Sequence, residues 1–263
     1  MEKLFRIKTL VSAVVVVTGV ALTGCGSSSG GGGSVASPNG IYTGTITGGS
    51  TSFNGIEEKA IIYNNRKLVL SNKADGVSQL FDANLTDPAN SLTGTGFRYD
   101  PAGPKLNSVN FSGSYVSDVS ASVDFVEDTT GAVTLPPGTI NLTEDTALSS
   151  KGSDLSRLNG TWVGTFVAGS QMTLIIDAAG NIGASSGDSG GGADCGFTGA
   201  FSILDAAVNV YALSLISDGG GAGCFVAAAT YSGLAWTEGD SNGTLVLIAA
   251  DGNNGRAVIL TKS

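Results

Sequence analysis

Histidine is absent from the 263 residues. Without an imidazole there is no Ser-His-Asp or Cys-His catalytic pair, no histidine metal site and no histidine switch near neutral pH. Charge is scarce as well: charged residues make up 13%, against about a quarter in an ordinary soluble domain. The sign of that charge is acidic, with 13 Lys+Arg against 22 Asp+Glu, which argues against nucleic acid as a partner. Proline and cysteine number only 6 and 3. What the chain does have is glycine, 40 residues, and 41% hydrophobic residues, enough to argue against a fully disordered chain. No catalytic set, cofactor motif or metal motif emerges, so the expected class is not an enzyme.

The first residues read as an address. Lys3, Arg6 and Lys8 form a basic head, and Leu10 to Leu22 is an uncharged apolar run of 13 residues. That is the pattern of a secretory signal. A membrane-spanning helix needs about 20 apolar residues, so the run is too short to be a good span. It ends in Leu22-Thr23-Gly24-Cys25, which resembles the lipobox of bacterial lipoproteins. The resemblance implies a signal over residues 1–24, cleavage before Cys25, and acyl chains, palmitate among them, on Cys25 and its new amino group. Several chains anchor a protein to a bilayer far better than one. Gly26 stands where Asp marks inner-membrane retention in enteric lipoproteins, so the resemblance favours the outer membrane, with the face open. Losing Lys3, Arg6, Lys8 and Glu2 leaves 10 basic and 21 acidic residues, net −11. Anionic lipid repels such a body, so the anchor must do the holding. Residues 25–37 form the lipidated end and its linker. Within it, Gly26 to Ser34 contains only Gly and Ser and is expected to be a flexible tether spanning about 15–18 Å.

Beyond the tether the pattern is β throughout. Short runs alternate apolar with polar residues, and Gly, Asn, Asp or Pro breaks them every 8–12 residues. The two halves resemble each other. Asn39-Gly40-Ile41-Tyr42-Thr43-Gly44-Thr45-Ile46 matches Asn159-Gly160-Thr161-Trp162-Val163-Gly164-Thr165-Phe166. Ala60 to Tyr63 matches Leu174 to Asp177, Phe111-Ser112-Gly113 matches Tyr231-Ser232-Gly233, and Gly138 to Thr143 matches Gly255 to Thr261 with one insertion. Matches in constant order indicate two copies of one unit, placed at 38–145 and 158–263, with Glu144 to Arg157 as linker. Eight strands are expected in each. In the second unit they begin near Gly160, Gln171, Gly180, Cys195, Ala207, Cys224, Gly243 and Gly255. Sequential strands with short links predict an all-β fold of two tandem up-and-down barrels, with a β-sandwich as the alternative. An eight-stranded interior is either filled by side chains or holds one small ligand.

Few residues stand out as candidates for chemistry. Cys195 and Cys224 are the cysteines left after lipidation, and an exported compartment permits their disulfide. On the expected strands they lie about 9–10 Å apart across an intervening strand, beyond the roughly 7 Å between Cα atoms that a disulfide allows. The pair must therefore sit in loops, or the barrel end must pinch. Asp188, Asp194 and Asp218 flank the two Gly-rich loops this bond would join and are candidate ligand or partner residues. A calcium site there, or at Asp251, lacks any matching spacing, and Asp beside Gly and Asn is common turn chemistry. Gly160-Thr161-Trp162 resembles the Gly-x-Trp of lipocalins and the Gly-Thr-Trp of avidins. That resemblance implies a Trp closing one barrel end with a late basic residue, here Lys262, packed on it. The first unit departs, with Tyr42 for the Trp and Glu144 at the Lys262 position, and the lipocalin Thr-Asp-Tyr element is absent. Trp236 reads as an ordinary core aromatic. The expected function is a lipid-anchored envelope protein that binds a protein, a glycan or a small apolar ligand. A purely structural envelope component is the alternative, and a carboxylate-dependent hydrolase ranks last.

Overall fold

The computed structural model describes residues 37–49, 57–64, 66–73, 76–100, 103–128, 136–165, 171–188, 195–220, 224, 226–239, 241 and 243–263. The signal peptide, Cys25, the tether and Asp194 lie outside them, as does the side chain of Asp188.

Eight strands build the first unit: β1 (Gly40–Gly48), β2 (Glu57–Tyr63), β3 (Arg66–Lys73), β4 (Gly76–Thr86), β5 (Ser91–Tyr99), β6 (Lys105–Val116), β7 (Ser120–Glu127) and β8 (Gly138–Glu144). Eight more build the second: β9 (Gly160–Thr165), β10 (Gln171–Ile176), β11 (Asn181–Asp188), β12 (Cys195–Ile203), β13 (Tyr211–Ser217), β14 (Ala229–Glu238), β15 (Thr244–Ala250) and β16 (Gly255–Lys262). Each strand pairs antiparallel with its sequence neighbour. β1 closes on β8, and β9 closes on β16, giving two closed barrels. The sandwich alternative is thereby excluded. The four matched segments fall on equivalent strands: β1 with β9, β2 with β10, β6 with β14, and β8 with β16. Two strands begin later than the residue pattern suggested, β13 at Tyr211 and β14 at Ala229. Ala207 and Cys224 belong to the loops that precede them.

Strand alternation explains the interiors. On β6, Val109, Phe111 and Tyr115 point inward, and on β7 Ala121, Val123 and Phe125 do. The Phe81 ring packs at 6.2 Å from Phe111 and 5.4 Å from Phe125. Burying each such ring stabilises by about 1.5–3 kcal/mol. The second barrel is filled by Met172, Leu174, Phe197, Leu213, Tyr231, Leu247 and their neighbours. One polar cluster interrupts the first interior. Arg98 Nε donates to Glu127 Oε1 at 2.5 Å, and Asn107 Nδ2 donates to Glu127 Oε2. All three residues are buried. A charge pair kept from water is held by its mutual hydrogen bonds, and loss of one partner costs about 3–5 kcal/mol.

The first strand of each barrel is tied down alike. Tyr42 Oη donates to Pro38 O at 2.8 Å, and Trp162 Nε1 donates to Leu158 O at 2.6 Å. Each aromatic bonds the carbonyl four residues before it, so the segment entering the barrel also closes its end. Lys262 pairs with Trp162 across β16 and β9 and holds Nζ 5.2 Å from the ring centroid. Glu144 pairs with Tyr42 in the same register.

The linker contains two short helices, α1 (Thr146–Ser149) and α2 (Leu155–Leu158), which the glycine-rich pattern did not suggest. Asp145 and Asp154 cap them, accepting from Leu148 N at 2.9 Å and Ser156 N at 2.8 Å. Ser149 joins both units: its Oγ accepts from Ile41 N, and its carbonyl accepts from Asn209 N, each at 2.9 Å.

The described residues fall in one compact unit, because the barrels share a third core. Ile41, Ile61, Tyr63, Leu80 and Tyr99 on the outside of the first barrel meet Val210, Leu234, Trp236, Val246, Ile248 and Ala250 on the outside of the second. Trp236 is thus an interface residue and not part of a barrel interior. Its Nε1 donates to Glu238 Oε1 at 2.8 Å, and Glu238 pairs with Lys59 of the first barrel at 2.7 Å. Backbone pairing adds to the joint: Lys105 N donates to Asn253 O at 2.7 Å, and Gly255 N donates to Gly103 O at 2.8 Å. Gly103 has φ +120, and a Cβ there would fall 1.4 Å from Arg256 Nη1, so only glycine fits.

Candidate binding groove between the barrels

The disulfide is present, with 5.1 Å between the Cα atoms of Cys195 and Cys224. The spacing problem is solved by the loop. Cys195 opens β12, while Cys224 lies five residues before β14 and reaches across the end of β13. Val226 enters the core of the second barrel, and Cys224 and Ala229 pack against it. Asp218 holds the same loop down: its Oδ1 accepts from Gly196 N at 2.9 Å and from Gly220 N at 2.8 Å. Among the described residues, Val226 and the disulfide thus pack over the core at that end of the second barrel.

Asp251 makes a turn. Its Oδ1 accepts from Asn253 N at 2.7 Å and Asn254 N at 2.6 Å. Partial burial works to raise its pKa, but these backbone donors outweigh it, and the carboxyl lies below its ordinary range. That turn sits against the first barrel and forms one wall of a groove of about 560 Å³ between the two units.

The groove floor is the outer face of β4, β5 and β6. Register places Asn84, Thr95 and Asn110 in one cross-strand row, and Asp82, Phe97 and Ser108 in the next. Neighbouring strands lie about 4.8 Å apart, and the rows about 7 Å apart along the strands. Thr230 and Ser232 of β14 supply the facing wall with Asp251 and Gly252. At one edge Arg66 forks onto Asp82, with Nε to Oδ1 at 3.0 Å and Nη2 to Oδ2 at 2.8 Å, and crosses to Ser232 O at 3.1 Å. A smaller hollow of about 240 Å³ lies elsewhere along the interface beside Lys59, Asp145 and Glu238.

Tyr99 borders the larger groove, fully buried, and among the described residues its hydroxyl meets no hydrogen-bond partner. Burial pushes its ionisation up, Asp82 and Asp251 push the same way, and Arg66 opposes them. It therefore stays a neutral hydroxyl at physiological pH, able to donate and accept.

No known protein family matches the sequence, and no curated protein does. Among solved structures, the chain is similar to the isotype 1 transferrin binding protein B from serogroup B Neisseria meningitidis. The identity is 10% and the TM-score 0.28, over 86% of this chain and 77% of that one. A tryptophan-to-alanine mutant of transferrin binding protein B from Haemophilus parasuis, a vaccine antigen, gives 9% and 0.27 over 86% and 76%. Likeness of that size carries no argument, and the fold rests on the strand pairing itself.

The groove was missed in the sequence because its floor comes from residues 82–128 and its wall from 230–252. One signal was there. Thr244 to Ala250 reads Thr-Leu-Val-Leu-Ile-Ala-Ala without alternation, the mark of a strand buried on both faces. Leu245, Leu247 and Ala249 face the barrel core, while Val246, Ile248 and Ala250 face the other barrel.

Proposed function

We propose that the protein is a non-enzymatic binding module of the bacterial cell envelope, held to the outer membrane by lipid on Cys25 and a Gly/Ser tether. In this reading residues 1–24 are the signal, 25–37 the anchor and tether, and 38–145 and 158–263 the two domains. One observation carries it: the described inward positions of both barrels are filled by their own side chains, while an open polar groove lies on the outside. A small apolar ligand inside a barrel, one of the partners the sequence left open, finds its described lining already packed against itself. The partner is therefore met on the outer surface of a body whose halves are locked together, not swallowed by one of them.

Mass spectrometry of the native full chain from bacterial membranes tests this. The expected mature protein begins at an acylated Cys25 and carries no stoichiometric apolar molecule, and Cys25→Ala abolishes both the lipid and the processing. A mature end elsewhere without lipid overturns the anchor, and a retained apolar ligand overturns binding on the outside.

A further inference from the structure

Resting on the reading of an outward-facing binding module, we propose that the inter-barrel groove is a site for a neutral oligosaccharide. The floor supplies the right groups in the right form. Asn84, Asn110, Thr95 and Ser108 are exposed side chains that each donate and accept, as a sugar hydroxyl does. They stand in rows at strand spacing, so one ligand of several hydroxyls meets several partners at once. Phe97 interrupts the polar floor with a half-buried ring beside Tyr99, the centroids 6.4 Å apart, and Lys105 Nζ stands over one face of that ring at 4.5 Å. Beneath the floor the buried Tyr99 hydroxyl, without a hydrogen-bond partner among the described residues, feels the charges of Asp82, Asp251 and Arg66.

Charge narrows the class. The groove carries Asp82, Asp128 and Asp251 against two cations, Arg66, whose guanidinium is engaged by Asp82 and the Ser232 carbonyl, and Lys105, which stands over the Phe97 ring. That balance repels phosphates, uronic acids and other anions. A basic peptide would welcome the carboxylates but has little use for a floor of paired amides and hydroxyls. The volume, about 560 Å³, lies within the range of small-ligand sites, about 300–1,000 Å³.

Calorimetric titration of the processed full chain, in a detergent without sugar headgroups, tests the site with maltotriose, cellotriose, chitotriose and hexalysine. At least one trisaccharide is expected to bind. The Asn84→Ala, Thr95→Val double variant then weakens it by about tenfold or more. The double variant leaves the thermal midpoint close to that of the parent protein. The assignment is overturned if no trisaccharide binds at millimolar concentration, if the double variant binds equally well, or if hexalysine binds and the sugars do not. Failure here leaves Cys25 acylation and external binding standing, whereas failure of the anchor leaves the sugar titration unaffected.

Discussion

Glu144 occupies in the first barrel the seat that Lys262 occupies in the second, opposite the aromatic of the opening strand. Lys262 rides on its ring and donates to Arg157 O at 3.1 Å. Glu144 is less comfortable, because among the described residues its Oε2 meets no donor. Burial raises its pKa above the ordinary 4.5, a hydrogen bond with Ser149 pulls it back, and Asp118 and Asp145 raise it again. A carboxyl with a raised folded pKa stabilises in its protonated form; that contribution is present below the ordinary pKa and is lost as pH rises through the folded value. Glu144→Gln, which stays neutral, is therefore expected to match the parent in thermal unfolding near pH 4 and to exceed it near pH 8. Equal midpoints at pH 8 would sink this account.

At the scale of the strand, glycine sets the curvature. The repeat put Gly44 opposite Gly164 and Gly113 opposite Gly233, and the structure gives the reason. A Cβ on Gly44 would lie 1.8 Å from Asn141 O, and one on Gly164 would lie 2.4 Å from Ile259 O. On Gly113 and Gly233 it would lie 2.0 Å from Ser122 O and 1.9 Å from Ile248 O. Adjacent strands coil so closely at these points that backbone occupies the place of a side chain. Gly233→Val is expected to lower stability by about 1–3 kcal/mol or more through strand displacement, measured by denaturant unfolding. A neutral effect would show that β14 and β15 have room to spare. Turns behaved as their residues suggested: Asn64 takes φ +46 between β2 and β3, and Asp177 accepts from Ala179 N and Asn181 N at 2.9 and 2.8 Å before β11. The cysteine loop did not follow simple strand spacing, since Cys224 precedes its strand instead of opening it.

At the scale of the molecule, the third core makes two repeats into one body. Trp236 is its largest side chain, fully buried, and links through Glu238 to Lys59 across the joint. Trp236→Ala is expected to remove about 3–5 kcal/mol and to split a single calorimetric transition into two, one for each barrel. A single, merely shifted transition would mean that the folded linker and the paired turns couple the barrels without it. The linker is well placed to help, because Ser153 Oγ donates to Asp205 O at 2.7 Å and Arg157 Nη1 donates to Gly152 O at 2.8 Å.

The order of elements was legible along the chain because period-two alternation, turn residues and the internal repeat are local properties. They specified sixteen strands, their pairing with sequence neighbours and the matched glycines, and the disulfide partners followed from there being two cysteines left. Local pattern does not say against what an outward face is buried. Tyr99 and Trp236 look like any strand aromatics, and Asp82, Asn84 and Thr95 like any solvated face, until the second barrel arrives beside them. Strand closure depends on pairs about a hundred positions apart, such as Tyr42 with Glu144 and Trp162 with Lys262, and the shared core and the groove on contacts still farther apart in the chain. The sequence alone therefore determined what each half is, and only the packing of one half on the other decided which outward faces are buried and where the groove lies.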